Sequence, residues 1–277
     1  MQTLNFSTLQ LSIDPPTHSI TATMKQSELS AELLFELESL LNFLSQHIEV
    51  STFILKGFDD HFGKGFDPGE IQRGDEHRQK KYVLHLQKIV VGLLHLPQTV
   101  IADLGRGAEG ASFELSLGAD IKIASKNATF SLNQLGQGHV PSSGGMNLLA
   151  ALTNPSLAKA LVMSGNNINA PELFQKGYIY ELTEDCNSQT LSRLLWAISN
   201  QAPIARIQAK KAFLEGIKES LDLSFSVDFG IFLGTQVFHD WKNYLEAQKN
   251  KTDVEFTSAK QLKNFLNNNK EGPSPSA

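Results

Sequence analysis

The chain has 277 residues, a formal net charge of −5, 41% hydrophobic residues and 19% charged residues. This length suits one large domain, or one core with an appendage, and the composition is ordinary for a soluble globular protein. The negative balance argues against a nucleic-acid partner, because counterion release needs a concentrated basic face. Cys186 is the single cysteine, so an intrachain disulfide is excluded and a reducing compartment is expected. No basic segment followed by an apolar run opens the sequence, and no apolar stretch approaches the ~18 residues of a membrane span. The expectation is a soluble, cytoplasmic protein with no membrane partner.

Two alternating runs, Leu9 to Ile13 and Ser19 to Met24, flank Asp14-Pro15-Pro16 and predict a hairpin. Ser27 or Ser30 can cap the following helix, in which Leu33, Leu37, Leu40, Leu41, Leu44 and Ile48 form one apolar face. Thr52 to Lys56 reads as a buried strand, and the glycine-rich residues 57–74 as a loop. Asp75 to Leu96 predicts a long helix stopped before Pro97. A strand at Val100–Leu104, a glycine turn, a short helix and a strand at Asp120–Ala124 come next. Helices are expected over Met146–Leu152, from Pro155 to Met163, and from Pro171 to Gly177, then a strand over Tyr178–Leu182. Strand–helix alternation through residues 50–182 gives an α/β class with parallel pairing. Past Ser188 three helices are expected, over 188–200, 204–218 and 222–248, and the polar C-terminal end cannot order itself.

The chemistry concentrates between Thr99 and Gly145. Glu114 lies among Phe113, Leu115 and Leu117, one turn into a helix that follows a glycine turn. Unpaired N–H groups at such a helix start can hold developing negative charge, and a carboxylate close by can move a proton. Spacing alone favours a solvent-facing carboxylate, or one paired with Lys122, because most carboxylates are surface groups. Gly105 to Gly110 also fits G-x-G-x-x-G, the dinucleotide fingerprint, which would imply an NAD(P)-dependent oxidoreductase. Against it, the next helix has room for about two turns, and Ser125-Lys126 stand where a ribose-binding carboxylate belongs. The histidines show no ligand spacing, so no metal is expected, and His61 and His139 read as loop or structural residues. Ser142 and Ser143 are outside any G-x-S-x-G elbow and read as caps for a helix beginning near Gly144.

These residues resemble the crotonase (enoyl-CoA hydratase/isomerase) superfamily. The similarity runs from Val100-Ile101-Ala102 through Glu114-Leu115, Ala119-Asp120-Ile121, Ala128-Thr129-Phe130, Gly138, Pro141 and Gly144-Gly145 to Ile168-Asn169-Ala170 and Tyr178. Upstream, Phe62-Gly63-Lys64-Gly65-Phe66-Asp67 resembles the family's F-x-A-G-x-D loop. The resemblance implies a spiral of β-β-α units over residues 1–187 and a helical region over 188–264 used in trimer packing, and composition makes 265–277 the disordered tail. It also implies an acyl-thioester substrate, on CoA or an acyl carrier, with no separate cofactor, and a homotrimer or hexamer. Backbone N–H groups of Phe66 and Ala111 would polarise the thioester carbonyl, with Asp67, Gly110 and Gly138 at the substrate. Glu114 matches the first catalytic glutamate; the second falls on Gln134, which can hold water but cannot exchange a proton. The family's glycine triplet is Gly110-Ala111-Ser112 here, and Asp60 and Gly69 stand where CoA-phosphate lysines often lie. The resemblance thus points to an enzyme acting on acyl thioesters. A catalytically impaired binding or oligomerisation protein is the alternative.

Overall fold

The computed structural model describes residues 5–73, 76–184, 188–236 and 240–257. Strands β1 (Leu9–Asp14) and β2 (Ser19–Met24) form the expected antiparallel hairpin, with Leu9 opposite Met24. Helix α1 (Ala31–Ser45) starts at Ser30, whose hydroxyl accepts the Leu33 N–H. Leu33, Leu37, Leu40, Leu41 and Leu44 are buried, but the helix ends at Ser45 and Ile48 is 51% exposed. The predicted apolar face therefore stops one turn early. After β3 (Thr52–Lys56), part of the presumed loop is the short helix α2 (Pro68–Arg73). Asp67 starts it by accepting the Gly69 N–H at 2.7 Å, and Pro68 suits a first helical turn.

Helix α3 (Glu76–His95) leads into β4 (Thr99–Asp103), β5 (Gly107–Glu109), α4 (Gly110–Ser116), β6 (Ile121–Ser125) and β7 (Thr129–Ser131). Then come α5 (Asn147–Leu152), α6 (Pro155–Ser164), β8 (Ile168–Asn169), α7 (Ala170–Gln175) and β9 (Glu181–Thr183). Six strands form one sheet in the order β1-β2-β3-β4-β6-β9, parallel from β2 onward. The other three form a small sheet, β5-β7-β8. From β4 to β7 the chain alternates between a strand of the large sheet and a short strand of the small one, giving the α/β spiral. The middle strands are covered on both faces, as parallel sheets require, and Val100, Ile101 and Ala102 are buried.

The strand expected at Tyr178–Leu182 starts later, at Glu181. Tyr178 is drawn into the core instead: its hydroxyl bonds to Ser116 Oγ at 2.6 Å and its ring meets Phe113 edge-on. The C-terminal region consists of α8 (Ser188–Ser199), α9 (Pro203–Glu215), α10 (Lys218–Gln236) and α11 (Asp240–Asn250). Where one helix was predicted over 222–248, α10 and α11 are separate and inclined by 63°. Lys210 ties α9 to the core through Asp120 Oδ2 at 2.6 Å and the carbonyls of Leu93 and Gln98. Cys186 and the tail 265–277 lie outside the described residues.

Candidate active site

Two glycine-rich loops meet at one end of the spiral. Leu29 pairs with Phe66 as an isolated parallel bridge, in which Leu29 N–H donates to Gly65 O and Asp67 N–H donates to Leu29 O. Those bonds use the groups flanking Phe66, so its own N–H points away from Leu29. Ala111 is in the first turn of α4, where N–H groups have no intrahelical acceptor, and Glu109 provides no side-chain cap. The loops are close: a Cβ on Gly65 would lie 3.4 Å from the Ala111 nitrogen. Ser112, at the third position of the altered glycine triplet, fastens them together, its hydroxyl accepting the Gly65 N–H at 2.9 Å. Gly110 needs a left-handed backbone (φ +52), and a side chain there would approach Asn133 Oδ1.

Glu114 is 1% exposed, which removes the solvent-facing alternative. Lys122 is not its partner either, since Lys122 Nζ donates to Ala119 O. Glu114 Oε1 accepts the N–H groups of Ser143 (2.7 Å) and Gly145 (3.0 Å), and Oε2 accepts from Gln134 Nε2 (2.9 Å). Burial pushes its pKa up to about 7; the three hydrogen bonds oppose that shift and the charge of Asp228 adds to it. A carboxyl poised there can both take and return a proton near neutral pH. Gly145 must be glycine, because a Cβ would lie 3.0 Å from Glu114 Oε1 and 2.7 Å from Pro141 Cβ. Ser142 and Ser143 do not cap a helix as expected. The helix begins at Asn147, with Met146 at its N-cap, and the Ser143 N–H serves Glu114.

Phe66, Gly110, Ala111 and Gln134 line a common cavity of about 90 Å³. Glu114 does not line this cavity itself, but its Oε2 accepts from Gln134, which does. Gln134 is buried, and its Oε1 has no hydrogen-bond partner among the described residues. His139 also lines the cavity; burial lowers its pKa to about 4 and keeps it neutral. His61 stays in its loop, its Nδ1 accepting the Gly63 N–H. The two other expected substrate contacts, Asp67 and Gly138, lie next to residues that line the cavity. Asp67 is occupied in starting α2, and Gly138 is a left-handed turn against which α11 packs: a Cβ there would fall 2.4 Å from Trp241 N. Trp241, Tyr244 and Leu245 of α11 complete the cavity wall, a contribution no local pattern in the sequence signals.

The spiral with its helical C-terminal region, and the two loops converging beside a buried glutamate, define a crotonase-superfamily protein. A sequence model of the enoyl-CoA hydratase/isomerase family matches residues 20–259. The chain belongs to that family. It is 27% identical over 229 residues to the short-chain-enoyl-CoA hydratase of Clostridium acetobutylicum, covering 82% of this chain and 88% of that one. It is 26% identical over 235 residues to the crotonyl-CoA hydratase of Syntrophomonas wolfei, covering 83% and 89%. Among solved structures, enoyl-CoA hydratase from Bacillus halodurans superposes with a TM-score of 0.80 at 20% identity, covering 87% and 100%. Membership corrects the dinucleotide reading of Gly105–Gly110. In the structure that segment is a three-residue strand, β5, leading into a seven-residue helix.

Proposed function

We propose that this protein acts on acyl thioesters, on CoA or an acyl carrier, by moving a proton at the α-carbon with Glu114 as the single acid/base. The observation that carries this is the pairing of a buried carboxyl at pKa about 7 with an amide, Gln134, where a second carboxylate would be needed to activate water. The N–H groups of Phe66 and Ala111 would hold the thioester oxygen as it gains negative charge. For a 3-enoyl thioester, the Glu114 carboxylate takes a proton from C2 and the electrons move onto the thioester oxygen. The same carboxyl returns the proton to C4 as the double bond settles between C2 and C3. No atom is gained or lost, and no second titrating group is needed. Gln134 Oε1 can orient a water, so hydration of 2-enoyl thioesters would be a slower reaction of the same site.

The test is α-proton exchange and double-bond migration on 2- and 3-enoyl thioesters. Glu114→Gln should lower both by roughly 10²–10⁴-fold; unchanged turnover would remove Glu114 from the mechanism. A second reading, a binding or oligomerisation protein without turnover, is favoured by one observation: Glu114 itself does not line the cavity. Tight acyl-CoA binding in calorimetry, with no α-proton exchange in the unmodified protein, would select that reading.

A further inference from the structure

We infer that Asp228, on α10, is a positioning residue for Glu114: it holds the other side of the 142–147 turn whose N–H groups carry the Glu114 carboxylate. This rests on the proposed role of Glu114. The turn lies between two buried carboxyls and serves them alternately. The N–H groups of Ser143 and Gly145 go to Glu114. Those of Gly144 and Asn147 face Asp228, and Asn147 Nδ2 donates to Asp228 Oδ1 at 2.6 Å. Gln87 of α3 fixes the turn to the same helix, its Nε2 donating to Ser142 O at 3.2 Å and to Phe225 O at 2.8 Å, one helical turn before Asp228. A shift of α10 therefore moves the donors under Glu114.

A purely structural tie would be served by an asparagine. Asp228 is 0% exposed and its Oδ2 has no hydrogen-bond partner among the described residues, an arrangement costly for a carboxylate with no other effect. Its charge has an effect. Among the described residues Asp228 is the one charge acting on Glu114 and raises its pKa, while burial raises Asp228's own pKa to about 6. Among the described residues, the side chains that donate to the two carboxyls are neutral amides: Asn147 from α5 to Asp228 and Gln134 from the segment after β7 to Glu114. Among the described residues no charge from α3, α5, α9 or α11 acts on either carboxyl.

The experiment follows the Glu114 carboxyl by carbon-13 NMR in the full-length protein without substrate, with Glu114→Gln identifying its signal. Asp228→Asn keeps an acceptor for Asn147 and removes the charge. The midpoint of Glu114 should fall by about one pH unit, and the acid limb of kcat/KM should move down with it. Asp228→Ser, neutral and smaller, should move the midpoint the same way and stands in if the asparagine variant does not fold. An unchanged midpoint in the folded variant overturns the inference, whether or not thermal stability falls. The midpoint is read without turnover, so an active Glu114→Gln enzyme would defeat the proposed reaction and leave this test standing.

Discussion

The parallel core and the C-terminal helices treat apolar surface in opposite ways. In the core, Phe53, Ile54, Val100 and Phe113 are closed off from water, and the Phe113 ring meets Phe130 at a tilt and Tyr178 edge-on. On the helices, Trp196, Ile204, Leu223 and Ile231 remain exposed, and Phe213 is 80% exposed. A core that completes itself can hold backbone donors rigidly, whereas open apolar helix faces call for a partner surface. We accordingly propose self-association through these helices, as a homotrimer or hexamer. The largest expected effect separates the regions directly. Phe113→Ala should cost about 3–5 kcal/mol in urea unfolding. Phe213→Ala should change the stability of the dilute protein by less than about 0.5 kcal/mol, yet weaken self-association in sedimentation. Equal losses from both would break the comparison.

Glu114 sits where the two regions meet, and the next effect is its pH dependence. The folded protein holds the carboxyl proton up to about 7, against an ordinary value of 4.5. The fold binds that proton at pH values where the unfolded chain has released it. The resulting stability is fully present below about 4.5 and is lost as pH rises through 7. Glu114→Gln has no such titration. Its stability relative to the unmodified protein should therefore rise between pH 4.5 and 8.5, by about 3 kcal/mol at most. The new amide would face Gln134 Nε2, and rotating the Gln134 amide resolves the clash because its Oε1 is unengaged. A flat difference across that range would mean that the carboxyl is not held protonated by burial.

Much of the core was legible because its periods are strong. The alternation of the hairpin, the leucine face of α1 and the β-branched run of β3 each state their own structure. Glu114 among three apolar neighbours drew attention, but spacing alone left it readable as a surface carboxylate, and its expected role came from the family resemblance. What escaped the sequence depends on distant contacts. The donors Ser143 and Gly145 come from 29 and 31 residues away, and the serines looked like helix caps because local chemistry favours that use. Helix α2 is only six residues long and shows no apolar period. Asp228 and Trp241 act through helix placement, which is set by packing and leaves no local mark.

The link between the regions gives an intermediate effect. Lys210 Nζ is largely buried and joins α9 to Asp120 and two core carbonyls. Lys210→Met should cost roughly 1–3 kcal/mol, because those acceptors lose their donor. Unfolding that becomes biphasic would show the helices separating first; an unchanged midpoint would show that the helices dock without this tie.

The smallest effect concerns selectivity. Trp241 reaches back from α11 to close the cavity, and its indole Nε1 has no partner among the described residues. A short acyl chain in this cavity of about 90 Å³ would meet Trp241 as part of the wall. Trp241→Leu shortens that wall and should raise kcat/KM for an acyl chain longer by one or two carbons about tenfold relative to the short one. Trp241→Phe keeps most of the wall and removes only the unsatisfied N–H, so the chain-length preference should stay near that of the unmodified protein. Were both variants to leave the preference untouched, the helices would be a cover for the site and the core alone would choose its substrate.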